Sequence, residues 1–233
     1  MPAAPYLDKD WHRTILEHGR EKYLGVFMIS KFGSDTALLV IDAQNGVNNH
    51  SHWGGSRGHR NNPEAEARIA DLLKTWREAG LPVYFTFHNS REAASPLKLS
   101  LDSGQAIAGL EPGPGEQVIT KDVNSGFIGT ELEIKLRRER VSRLVVAGYF
   151  TNMCVETTVR AAGNMGYDVY LAHDACAAGN RAGYAGKEFD ADLVHQMSVA
   201  NMHGEFCTAV DTADLVSLVG ADAAHLNRVQ GNE

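Results

Sequence analysis

The segment 143–166, RLVVAGYFTNMCVETTVRAAGNMG, constrains the fold more than any other part of the chain. Residues 144–147 are continuously apolar, which suits a strand buried on both faces. Gly148 ends the run, and Thr151 and Asn152 stand where a helix cap is wanted. Val155, Val159 and Ala162 then recur at helical spacing. Cys154 falls in the first turn of that helix. There, unpaired backbone N–H groups and the positive end of the helix dipole favour a thiolate. The segment therefore predicts a central strand that delivers a cysteine nucleophile to its carboxyl end.

The same alternation of strand and helix runs along the chain. Strands are predicted at 36–41, 83–87, 118–120, 168–171 and 206–210. Pro63 opens a helix with Ile69, Leu72, Leu73 and Trp76 on its inner face, and Gly80 closes it. Thr130 and Glu133 have the spacing of a capping box, ahead of Leu132 and Leu136. Residues 190–202 form a helix with Leu193, Met197 and Ala200 on one face. Asp211 caps a last helix through Val219. The polar, Gly-rich stretch 46–62 reads as a long functional loop, and 90–116 as an excursion with at most a short helix. This order implies an α/β protein: a three-layer, Rossmann-like fold with a mostly parallel sheet of about six strands and right-handed crossovers. Residues 1–34 are assigned to an N-terminal arm, 35–222 to the domain and 223–233 to a polar tail. In the arm, Tyr6, Trp11, Ile15 and Leu16 fit one short helix.

A chain of 233 residues affords a sizeable core in one domain. The net charge of −7 comes without a basic run, so no nucleic-acid groove is expected. Cys154, Cys176 and Cys207 are odd in number and widely spaced, which argues against a disulfide framework or a zinc knuckle. A reducing, cytoplasmic setting follows, with Cys176 and Cys207 as core thiols. No apolar run approaches the roughly 20 residues of a membrane span, and no signal pattern opens the chain.

Three chemically useful residues end predicted strands: Asp42, Lys121 and Cys154. In a parallel sheet, equivalent strand ends meet at one edge, where ligands bind. If their strands are neighbours, they combine a base, a cation and a nucleophile. Gly-x-Gly-x-x-Gly does not follow the first strand, and no Gly-x-Ser-x-Gly elbow is present, which disfavours dinucleotide binding and α/β-hydrolase chemistry.

On these residues the chain resembles the isochorismatase-like cysteine hydrolases. Asp42-Ala43-Gln44 matches the family's first-strand D-x-Q. Lys121, Ser125, Phe127 and Thr130 match K-x-x-x-S-x-F-x-x-T. Gly148, Thr151, Cys154 and Val155 match G-x-x-T-x-x-C-V, and Asp174-Ala175 matches a following Asp-Ala pair. The resemblance spans roughly 35–220. It implies an Asp42–Lys121–Cys154 triad acting on a C–N bond in a small amide, ureide or carbamoyl compound, through a thioester. It also implies a cis peptide at Tyr149-Phe150, an oxyanion site made by the N–H groups of Phe150 and Cys154, no cofactor, and a homo-dimer or homo-tetramer. Vinyl ether hydrolysis, known for relatives that have lost the cysteine, is the alternative, as is a catalytically silent member of the fold.

Gln44, Asn45, Trp53, His88, Phe127, Tyr149 and Phe150 are the candidate pocket residues. Nicotinamidase-like members carry a metal-binding carboxylate soon after the first motif. Here that stretch reads Asp42-Ala43-Gln44-Asn45-Gly46-Val47-Asn48-Asn49-His50, without one. His50, His52, His59 and His88 are therefore taken as ordinary histidines, and no metal is expected.

Overall fold

The computed structural model describes residues 31–219. The predicted helix in the arm and the polar tail lie outside the described residues. Six parallel strands form one sheet in the order β3-β2-β1-β4-β5-β8. They are β1 (Thr36–Ile41), β2 (Val83–His88), β3 (Gln117–Lys121), β4 (Arg143–Tyr149), β5 (Asp168–Ala177) and β8 (Thr208–Val210). The first strand and the strand of the Cys154 segment are neighbours, paired from Thr36↔Arg143 to Ile41↔Gly148. On the other side, β2 joins β1 and β3 joins β2, with His88 opposite Lys121.

Period-two alternation along these buried strands sorts their side chains into two cores. Ala37, Leu39, Ile41, Leu144 and Val146 share one core with Leu132 and Leu136 of helix Leu132–Arg138 and with Val155, Val159 and Ala162 of the segment after β4. Helix Ala65–Ala79 covers the other face, burying Ile69, Leu72, Leu73 and Trp76. The Trp76 indole N–H donates to the Thr36 carbonyl at 3.3 Å, so its one polar group is satisfied inside the core. Phe32 is only 1% exposed, packs its ring against Trp76 and Tyr170, and donates its N–H to Leu218 O. The body thus takes in a residue that the sequence reading assigned to the arm.

Several local expectations change. Helix Leu132–Arg138 has no side-chain cap: Thr130 Oγ1 accepts the Leu132 N–H and donates to Gly126 O, and Glu133 pairs with Arg137. Strand β5 runs on to Ala177 through the stretch predicted as a loop, with a register shift opposite 146–148. A short hairpin, β6 (Arg181–Ala182) with β7 (Glu188–Phe189), follows it. Helix Ala191–Met202 is rotated from the predicted face. It buries Ala191, His195, Ser198 and Met202, while Leu193 and Met197 are exposed. Two buried polar residues took positions that a hydrophobic count gives to solvent. The final helix, Thr212–Leu218, is capped across the fold: Asp174 Oδ1 accepts both the N–H and the hydroxyl of Thr212.

Gly148 shows why this strand end cannot take a side chain. Its φ is +125°, and a Cβ there would lie 2.0 Å from the Ile41 carbonyl oxygen on the adjacent strand. Gly148→Ala is expected to cost about 3–5 kcal/mol, from backbone strain plus overpacking. Gly166→Ala, also at positive φ but with open space around it, should cost about 1 kcal/mol. Denaturant midpoints of the two variants check this; equal losses would remove the steric explanation.

Candidate active site

The carboxyl ends of β1, β2, β3 and β4 bring the site together. On β2, alternation puts Tyr84, Thr86 and His88 on one face; on β3 it puts Ile119 and Lys121 there. Tyr84 and Ile119 belong to the same core as Cys154. Asp42 would fall on the opposite face if β1 simply continued. Instead its φ is +51°, a left-handed conformation that Asp tolerates better than most residues. That turn lays the carboxylate against Thr86 and Lys121.

Each oxygen of the Asp42 carboxylate then has a donor. Thr86 Oγ1 donates to Oδ1 at 2.7 Å, and Lys121 Nζ donates to Oδ2 at 2.6 Å. The Lys121 side chain is wholly buried and spends all three N–H bonds: on Asp42, on His88 Nδ1 at 3.0 Å and on the Val123 carbonyl at 3.2 Å. Accepting from an ammonium fixes His88 Nδ1 as unprotonated, so the neutral ring carries its proton on Nε2. Burial lowers the His88 pKa, and the Lys121 charge lowers it further. For Lys121, burial disfavours the charge, but Asp42, then Cys154, outweigh it and the pKa rises.

Cys154 is 7% exposed. Its Sγ is 4.0 Å from His88 Nδ1 and donates to Asn124 Oδ1 at 3.7 Å. Sγ, an Asp42 oxygen and a His88 nitrogen all lie within 4.8 Å of one another. The helix start and Lys121 are not the whole electrostatic setting of this thiol. Burial, then the Asp42 carboxylate, push the thiol pKa up, against the opposing pull of Lys121. The Asp42 carboxylate beside the sulfur is placed to receive a thiol proton.

The turn that carries Cys154 also differs from the prediction. Thr151–Val155 is wound wider than an α-helix, with the N–H groups of Met153 and Val155 both on the Phe150 carbonyl, and the α-helix proper is Glu156–Asn164. Phe150, not Thr151 or Asn152, holds the cap position. The Tyr149-Phe150 peptide is cis.

The candidate pocket residues separate into groups. His88 lies with the triad, Phe127 shares the core cluster that includes Cys154, and the Phe150 ring packs tilted against Trp53 at 5.1 Å between centroids. Gln44 is fully buried and its amide is spent: it donates to His88 O and Gly104 O and accepts from His88 N–H, tying the end of β2 to the excursion after it. Asn45 is exposed and bonded to Gln105 and Asp102 backbone. Tyr149 points to the other face, with the Arg60 guanidinium 5.3 Å from its ring, so it is a packing residue. Thr86 and Asn124 were missed. Thr86 was legible from its period-two relation to His88; nothing in the sequence marked Asn124.

The stretch 46–62 is pinned rather than loose. The helical turns Asn45–Asn48, His50–Trp53 and Gly55–Arg57 run through it, Trp53 Nε1 braces it internally on Gly46 O, and the Arg60–Glu66 pair and the bond from Asn62 Nδ2 to Cys176 O hold it to the body. Among the described residues, two groups have metal-ligand spacing. One is Asp42, His88 and Cys154; the other is His59, Asp190 and Asp192 on the surface. In the first, the Lys121 ammonium already sits 2.6 Å from Asp42 and 3.0 Å from His88, on the atoms a metal cation would need. His50 and His52 are exposed and belong to neither group.

A buried Asp–Lys pair beside a cysteine, at the carboxyl edge of a parallel sheet, defines a hydrolase-type site on an α/β scaffold. The family model described as the isochorismatase domain matches residues 36–214, and the chain belongs to the isochorismatase family. It is 38% identical over 182 residues to the isochorismatase-family protein YrdC of Bacillus subtilis, covering 78% of this chain and 94% of that one. It is 30% identical to Nicotinamidase 3 of Arabidopsis thaliana, covering 75% and 84%. A crystal structure of an isochorismatase-family protein from Chromobacterium violaceum superposes with a TM-score of 0.75 at 43% identity, covering 81% and 95%. Among the described residues, no helix is long and apolar enough to cross a membrane.

Proposed function

We propose that the protein is a cysteine-dependent hydrolase of a C–N bond in a small amide, ureide or carbamoyl compound. The observation that carries this reading is the wholly buried Lys121 ammonium, which holds the Asp42 carboxylate at 2.6 Å within reach of the Cys154 thiol. Similarity to a nicotinamidase supports the same class of bond.

Cys154 Sγ attacks the substrate carbonyl carbon as its proton passes to Asp42. The N–H groups of Phe150 and Cys154 receive the oxyanion. Asp42 returns the proton to the nitrogen, the C–N bond breaks, and ammonia or an amine leaves a thioester on Cys154. Water, deprotonated by Asp42, then attacks the thioester; the C–S bond breaks and the thiol regains its proton. Lys121 keeps Asp42 ionised between proton transfers and stays charged throughout.

A screen for ammonia or amine release over small amides, ureides and carbamoyl compounds identifies the substrate. Acid-quenched intact mass should then reveal an acyl adduct on Cys154. Release that continues at full rate after Cys154 is alkylated sinks the reading.

A further inference from the structure

We propose that His195, outside the triad, is a positioning residue for the nucleophile and acts through Thr151. The proposal rests on the reading of Cys154 as the nucleophile. His195 Nδ1 lies 2.8 Å from the Thr151 hydroxyl. Thr151 is fully buried and His195 only 6% exposed, so water does not compete for this bond. Thr151 is the first residue of the wide turn that presents Cys154. Such turns are rare and are found frequently at functional sites. Within the turn, the Phe150 carbonyl takes two N–H groups. The Thr151 hydroxyl, which the sequence assigns to capping, instead ties the turn to a separate helix.

That helix is itself anchored. Asn180 is 2% exposed; its Oδ1 accepts the Ala191 N–H at 2.8 Å, fixing the first turn of the helix that carries His195. Asn62 Nδ2 lies 3.5 Å from His195 Nε2, but its closer contacts are the carbonyls of Cys176 at 2.6 Å and His173 at 3.2 Å. The Nδ1 side of the ring therefore carries its strong bond. Burial, then the neighbouring His173, lower the His195 pKa to about 4, so the ring is neutral near pH 7. A neutral imidazole held on one nitrogen sets the rotation of Thr151, and through three residues of backbone the direction of Cys154 Sγ.

The geometry separates substitutions that resemble one another. An asparagine amide overlays Nδ1 of histidine, whereas a glutamine amide overlays Nε2. His195→Asn should retain the Thr151 bond; His195→Gln and His195→Phe should lose it, as should Thr151→Val. The readouts are the alkylation rate of Cys154 by iodoacetamide, followed by peptide mapping, and kcat and KM on a substrate found in the release screen. His195→Phe and Thr151→Val should each slow alkylation and lower kcat by about 10- to 100-fold, with KM nearly unchanged. The double variant should be no worse than either single one, and His195→Asn should recover most of the loss.

A fast wild-type Cys154 whose rate is untouched by His195→Phe and by Thr151→Val overturns the proposal alone. Additive losses in the double variant, or equal losses in His195→Asn and His195→Gln, overturn it too, because a merely structural histidine gives that pattern. Wild-type Cys154 reacting no faster than Cys176 and Cys207 overturns the nucleophile reading, and the proposal with it.

Discussion

Cys154→Ala is expected to remove turnover, by at least about 10⁴-fold, while the protein stays folded. In the proposed reaction the thiol sulfur is the atom that forms the covalent adduct. Alanine keeps the backbone of the Thr151–Val155 turn and shortens the side chain by one buried atom, at a cost of about 1 kcal/mol. The Asp42–Lys121 pair keeps its direct bond, and Lys121 keeps its contacts to His88 and Val123. Release assays and a thermal melt on the same preparation check both halves. Turnover within about 10-fold of wild type would exclude a covalent cysteine step.

Asp42→Asn should fail in two ways at once. It removes the proton acceptor, costing about 10²–10⁴ in rate. It also leaves an ammonium without its counter-charge in a dry site; breaking a buried pair from one side costs about 3–5 kcal/mol. Because His88 Nδ1 and the Val123 carbonyl still accept from Lys121, the lower end of that range is expected.

The pH dependence separates these effects. In the wild type the Lys121 pKa is raised, above its unfolded value, so the pair's stabilisation is complete below the unfolded lysine pKa and is lost as pH rises through the folded one. In the variant, burial without Asp42 lowers the Lys121 pKa, so the variant's stability falls as pH drops below the unfolded value. The gap between the two proteins should therefore be widest near neutrality, narrow by about pH 10.5 as the variant recovers, and close as pH rises through the raised folded value. Denaturant unfolding at pH 7 and pH 10.5 measures it. A gap that does not change with pH would mean that the lost charge pairing is not its source.

Much of the scaffold was legible because buried parallel strands announce themselves. Residues 37–41 and 144–147 are continuous apolar runs, and both lie in central strands. Ile69, Leu72, Leu73 and Trp76 follow a 3.6-residue period, and all four are buried. Patterning failed where polar residues did the packing. Helix Ala191–Met202 buries His195 and Ser198 and exposes Leu193 and Met197, because bonds such as that from His195 to Thr151 are invisible to a count of apolar side chains.

The sequence by itself determined the strand–helix order, the motifs and the identity of Asp42, Lys121 and Cys154. Those properties are local, set by side-chain chemistry and by periods of two and 3.6 along the chain. Only the tertiary structure decided how the three residues meet. Strand alternation sends Asp42 to the wrong face; a left-handed φ brings its carboxylate back to Lys121. The direction in which the Cys154 pKa moves was set there as well. Helix position and a nearby lysine favour a thiolate, but burial and the Asp42 carboxylate favour the thiol and prevail. Burial and distance come from segments far apart in the chain, so no reading of a single stretch contains them.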